Sequence, residues 1–231
     1  MRLVIVYNIL FIILLLSCSE GPRNEDSRID ESLVVNKDES LDRKYVIDSI
    51  GSFISWSGTN DQISHYGIFH IDHGYILFRD SVIHGGEIYI NLSAVEILDL
   101  KDNPVENNRL SSFIKSKRFF DIANFPLAKF EIDTVTPIHI NQSELLRSNK
   151  DISAFPTDSI FGTLTIKGIS KPINFPARID MRYYSLQSSA TFMINRFPWN
   201  LSSQSPNNRT ENVGDVPDTI EVGFDIIAYA R

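Results

Sequence analysis

One cysteine among 231 residues rules out an internal disulfide, so core packing and backbone hydrogen bonds must hold the fold unaided. Basic side chains are in deficit: 22 Lys and Arg stand against 29 Asp and Glu, a net charge of −7, and no basic cluster is present that would neutralise a phosphate backbone. Nucleic acid is therefore not an expected partner. The chain also lacks a phosphate loop, a G-x-S-x-G elbow, an H-E-x-x-H pair and a C-x-x-C pair. Carboxylates are numerous, but none is paired in an apolar setting, so acid–base catalysis is not motivated. No catalytic residue, metal ligand or cofactor is expected. The longest apolar run, Leu3 to Leu16, is broken at Tyr7 and Asn8 and falls short of the ~20 residues that a comfortable membrane span needs.

That short run follows Met1-Arg2 and closes on Leu15-Leu16-Ser17-Cys18, the charge, apolar core and small residue of a secretory signal. The lone cysteine stands where a lipobox places its acceptor thiol. The expected organisation is a signal peptide over 1–17, a lipidated Cys18 with a disordered tether over 18–44, and one folded domain over 45–231. Ser19 to Lys44 has no aromatic residue, and Ser19 to Arg43 carries eight acidic side chains against four basic ones, too little apolar surface to offset chain entropy. Ser19, rather than an aspartate, follows the cysteine and resembles the outer-membrane sorting signal of many two-membrane bacteria. The expected location is the cell envelope, lipid-anchored in the outer membrane, on its periplasmic or its surface face.

From Tyr45 onward the dominant period is two. Ile220, Val222, Phe224, Ile226 and Ala228 alternate with Thr219, Glu221, Gly223, Asp225 and Ile227; Ile88, Ile90 and Leu92 alternate likewise, as do Ala128, Phe130 and Ile132. Thr163 to Ile166 and Ala190 to Ile194 read as further strands. Turns are expected at Ser57 to Asp61, Asp72-His73-Gly74, Gly85-Gly86, Lys167-Gly168, Ser205 to Asn208 and Gly214-Asp215. Short spacing implies antiparallel hairpins, and about eight such strands are suited to closing into a barrel that leaves no edge. One short helix is announced by Asn103-Pro104-Val105-Glu106, a capping residue, a proline at the first position and a glutamate at the third. Leu110, Phe113 and Ile114 then form a stripe for either a lid over one barrel end or ordinary core packing.

These residues resemble the YceI-like family of lipocalin-like barrels. The resemblance runs in order through Tyr45-Val46-Ile47-Asp48, Ile54 to Gly58, His65-Tyr66-Gly67, Gly85 to Ile88, Leu110, Ser116 to Ile122, Phe125 to Phe130, Gly162 to Ile173 and Phe192 to Trp199. The departures are a long insertion around Gln142 to Thr157 and the polar stretch Ser202 to Asn212. The resemblance implies an all-β antiparallel lipocalin-like barrel with a long-chain lipid or isoprenoid as partner, besides the membrane reached through the lipid anchor; a homodimer is left open.

Strand parity nominates the wall of such a site: Ile54, Trp56, Phe69, Ile88, Ile90, Leu92, Phe130, Ile132, Leu164, Ile166, Phe192, Ile194, Val222 and Phe224. Arg196 is placed at the mouth, to meet either a ligand head group or a buried carboxylate. The function expected is a carrier or sequestering module for an isoprenoid, quinone or fatty-acid-like amphiphile. The alternative is a non-catalytic envelope scaffold whose barrel is filled by its own side chains. A hydrolase or isomerase would rest only on His65, His70 and His73. Tripeptides such as Asp133-Thr134-Val135 and Asp218-Thr219-Ile220 also resemble a bacterial O-glycosylation signal.

Overall fold

The computed structural model describes residues 42–59, 64–80, 82–139, 155–201 and 217–231, all within one unit, Ser40–Arg231. Cys18, the signal and nearly all of the tether lie outside the described residues. Of the expected turn Ser57 to Asp61, Ser57 to Thr59 belong to a strand instead and only 60–61 lie outside; the expected turns at 205–208 and 214–215, most of the insertion around 142–157, and the polar stretch 202–212 lie outside as well.

Nine strands form one antiparallel sheet: β1 (Arg43–Ile47), β2 (Phe53–Thr59), β3 (Ser64–Arg79), β4 (Val82–Ile97), β5 (Leu127–Pro137), β6 (Asp158–Ile166), β7 (Ile169–Met181), β8 (Ser185–Asn195) and β9 (Thr219–Ala230). The pairing of β3 with β4 closes the sheet on itself. β1 and β2 both lie between β3 and β9, one after the other, so the nine strands make the eight staves of the expected barrel. The break between them is internally satisfied. Asp48 accepts the backbone N–H groups of Ile50 (3.0 Å) and Gly51 (3.2 Å), while the Ser52 hydroxyl accepts from the N–H of Ile227 (2.9 Å) and donates to its carbonyl (3.3 Å). Side-chain oxygens there do what the ladder does elsewhere.

The helix α1 (Pro104–Lys115) starts as its residues imply: the Asn103 side chain accepts from the N–H of Glu106 at 3.3 Å and proline occupies the first turn. The Lys167-Gly168 turn is also where expected, with φ of 52° and 73° at its two central residues, the geometry that suits the twist of a two-residue hairpin.

Two expected turns are not turns. Asp72-His73-Gly74 lies inside β3 and Gly85-Gly86 inside β4, and the chain reverses instead at Asp80, at φ 48°. Packing explains the glycines. A β-carbon on Gly74 would stand 2.6 Å from the Glu87 carbonyl oxygen, and Gly86, at φ 152°, would bring one within 2.6 Å of the Tyr75 oxygen. These glycines let two long strands approach and bend where the register shifts, between Ile71 and His73 and between Leu77 and Phe78.

Candidate functional site

All fourteen apolar residues nominated by parity face the barrel interior, and so does Arg196. Register sets them side by side across the staves: Ile54 lies between Phe69 and Phe224, Trp56 opposite Val222, Phe130 between Ile88 and Leu164, and Phe192 beside Val222. They surround a cavity of about 220 Å³. Since ~10–15 Å³ suffices for one water, the interior is hollow.

Rings subdivide this space. Phe175 stacks on Phe192 at 4.2 Å and 3° and meets Phe130 and Phe224, each at 5.7 Å, forming an aromatic waist. Gly162 leaves room for it, because a β-carbon there would lie 2.4 Å from the Phe130 ring. A second ring series, Trp56–Phe69–Phe120–Phe119–Phe113, covers the helix end with centroid spacings between 4.8 and 6.4 Å. Leu110 and Ile114 of α1 are buried and also face the cavity, so the apolar stripe of the helix is at once core and cover.

Sequence reasoning missed Ile173, Phe175 and Ile179 of β7, which also line the cavity. Their alternation was readable, but Pro172 and Pro176 argue against a central strand. β7 tolerates both because it pairs with β8 only through Arg178–Met181; along the earlier stretch the 3-10 turn Phe197–Trp199 packs against it, and the Trp199 indole donates to the Leu164 carbonyl at 3.0 Å. Ile76, Ile83 and Val135 were missed for another reason: register shifts in β3, β4 and β5 reverse the parity beyond them.

Polar groups on the cavity wall are few. Arg196 is 4% exposed, and its guanidinium donates to the carbonyl oxygens of Leu201 and Pro217 (3.0 Å) and to the Asp218 carboxylate (3.2 Å), with the Phe197 ring at 4.6 Å. Burial pushes its pKa down and Asp218 opposes that shift. The carboxylate that Arg196 meets is not the buried one expected but Asp218, whose side chain is exposed. Ser188, buried near the other end, lines the cavity and finds no hydrogen-bond partner among the described residues.

The three clustered histidines do not converge, because β3 runs straight through them. His65 Nδ1 lies 2.6 Å from Asp99, His70 Nε2 2.6 Å from Glu96, and His73 Nδ1 2.7 Å from Asp72, with His73 stacked on Tyr89. Of these only His65 lines the cavity. Among the described residues no three metal-binding side chains come together.

No curated protein matches the sequence. Among solved structures, the chain is similar to BcnA of Burkholderia cenocepacia, with a TM-score of 0.57 and 16% identity over 79% of this chain and 99% of that one. It is also similar to a polyisoprenoid binding domain from Saccharophagus degradans implicated in plant cell wall breakdown, with a TM-score of 0.50 and 11% identity over 81% of this chain and 98% of that one. At these identities the likeness is one of fold. Residues 45–228 match the YceI-like domain itself, nearly the whole barrel from Tyr45 in β1 to Ala228 in β9, and the chain belongs to the YceI-like family.

Proposed function

We propose that this protein binds a long-chain amphiphile, an isoprenoid, quinone or fatty-acid-like molecule, inside its barrel and serves as a carrier or sequestering module held in the cell envelope by lipid on Cys18. One observation carries the reading: an unfilled interior whose wall is almost wholly aliphatic and aromatic. Likeness to a polyisoprenoid binding domain supports the ligand class. Such a wall favours length. Each methylene moved out of water contributes ~0.8 kcal/mol, and association costs roughly 4–15 kcal/mol, so only chains well beyond ten carbons bind with useful affinity. Among the described residues the wall pairs one histidine, His65, with Asp99 but brings no nucleophile or third metal-binding side chain to them, which supports binding rather than turnover, and the hollow interior speaks against a purely scaffolding barrel.

The test is extraction of the purified full chain with organic solvent, followed by mass spectrometry of whatever is released without breaking covalent bonds. A long-chain amphiphile is expected from the wild type and not from a Val222→Trp variant that fills the waist. A wild-type protein that neither carries nor takes up such a molecule overturns the reading. Anchoring is tested separately: Cys18→Ser should abolish incorporation of a labelled fatty acid and release the protein from the membrane fraction, and unchanged fractionation would refute the lipid anchor. If the protein is outer-membrane-bound, as Ser19 implies, density-gradient separation places it there.

A further inference from the structure

Among the described residues, three polar side-chain groups of the cavity wall have no hydrogen-bond partner, the Trp56 indole N–H, the Ser188 hydroxyl and Nε2 of His65, and of these only the His65 ring is held in place by a carboxylate. His65 sits on β3 opposite Gly58 of β2, at the barrel end where a β-carbon on Gly58 would touch Pro217 and Ile220 at 3.4 Å. That end is the rim: Thr59 and Asp218 are exposed, and His65 is half-buried, with 24% of its side chain accessible. Asp99, whose side chain is only 13% accessible, holds the imidazole by Nδ1 at 2.6 Å and accepts the backbone N–H of Tyr66 at 3.0 Å through its second oxygen. An ionised carboxylate can only accept, so Nδ1 carries the proton and the ring orientation is set. Nε2 then has no hydrogen-bond partner among the described residues.

The other polar groups of the wall compare poorly. Arg196 spends its guanidinium on Leu201, Pro217 and Asp218. Ser188 stands beside Ile226, two residues along β8 from the fully buried Leu186, far from the rim where a head group can keep contact with water.

We propose that His65 is the head-group contact of the cavity and that, oriented by Asp99, it selects long-chain ligands ending in a hydroxyl. The proposal rests on the reading that the barrel holds a long-chain amphiphile. Its chemistry follows from the ring. In the neutral imidazole Nε2 is an acceptor; in the imidazolium it is a donor. A hydroxyl both donates and accepts and so satisfies Nε2 in either state. A head that only accepts, such as a ketone or quinone carbonyl, satisfies the charged ring alone, and a hydrocarbon satisfies neither. Asp99 acts here as a positioning residue.

The experiment offers the full chain an equimolar mixture of hexadecanol and hexadecane and measures the retained ratio by mass spectrometry. The wild type should favour the alcohol, and His65→Leu should lower alcohol retention roughly 3- to 10-fold, the equivalent of one hydrogen bond, while leaving hexadecane unchanged. Ser188→Ala should leave the ratio as in the wild type. Equal losses of alcohol and alkane in His65→Leu would mean that His65 only supports the rim, and a preference abolished by Ser188→Ala instead would put the head at the other end; either overturns the proposal. Uptake of neither probe by the wild type overturns the carrier reading and this one with it, whereas uptake of both without preference overturns this one alone. Nitrogen-15 spectra of histidine-labelled wild-type protein read the contact without substitution: His65 Nε2 should shift on adding hexadecanol and not hexadecane, and an unmoved Nε2 refutes it.

Discussion

The two ends of the barrel are built from the same staves and finished in opposite ways. Around Tyr45 and Leu186 the interior is sealed by side chains: Leu186 and Ala228 are 0% exposed, Ala177 and Tyr45 are 1% exposed, and the Tyr45 ring meets Phe78 edge-on while its hydroxyl donates to the Tyr183 carbonyl at 3.3 Å. Around Arg196 and His65 the closure is made by elements outside the sheet, namely α1, the Phe119-Phe120 pair and the 3-10 turn with Trp199, tied together by hydrogen bonds to backbone carbonyls. One end of the cavity is closed by strand side chains, the other by a cover of separate elements. Packing energy is therefore concentrated at the first, while the second depends on polar clamps that can yield to a ligand.

Truncation should expose that asymmetry most strongly. Leu186→Ala in the sealed end is expected to cost about 2–5 kcal/mol, whereas Ile194→Ala should cost roughly half as much, since Ile194 is only partly buried and has fewer contacts to lose than the fully buried Leu186. Denaturant unfolding measures both, and equal losses would show the ends to be equally packed. Next comes the clamp. Arg196→Met strips the Leu201 and Pro217 carbonyls of a buried donor and should cost about 1–3 kcal/mol, with Asp218→Asn costing less because that carboxylate is largely in water. An Asp218 variant as damaging as the arginine variant would reverse this ranking. The cap on the covering helix is worth somewhat less: Asn103→Ala should lower stability by about 0.5–2 kcal/mol in the same assay.

The smallest effect belongs to the strand entrance at the sealed end. Arg79 donates to both carboxylate oxygens of Asp42, at 2.7 and 3.0 Å, and holds its pKa below the usual value of 3.8, with burial opposing and His84 assisting. A depressed folded-state pKa stabilises above the unfolded value and loses that contribution as the carboxylate is protonated. Comparing the pH dependence of thermal unfolding for the wild type and Asp42→Asn should therefore show a small difference that is present above pH 3.8 and disappears below it. A difference that persists at lower pH would assign the effect to something other than this ion pair.

Strand parity was the most legible feature. Where a strand keeps strict alternation, as in Val222-Gly223-Phe224 or Ile88-Tyr89-Ile90, knowing one inward residue gives the rest, and the same holds for the capped start of α1. Legibility fails at bulges and prolines. The expected turns at Gly74 and Gly86 and the unread strand β7 have a common cause: glycine and proline punctuate chains locally, yet here they answer to a neighbouring strand, through close approach at the glycines and through an unpaired edge at Pro172 and Pro176. His65 illustrates the same limit, since its partner Asp99 comes from beyond the end of β4 and nothing in the spacing of the histidines points to it.

Alternation, capping and turn chemistry act over a few residues, so the chain alone determined the β class, the capped helix and the inward side chains of those strands that alternate without a register shift. Whether those side chains meet or leave a gap depends on stave number, register shifts and the bulk of rings contributed from across the barrel. These are properties of closure, and only the tertiary structure decided that the interior is hollow, that Arg196 is spent on its own rim, and that Asp99 holds the cavity-lining His65 by one nitrogen.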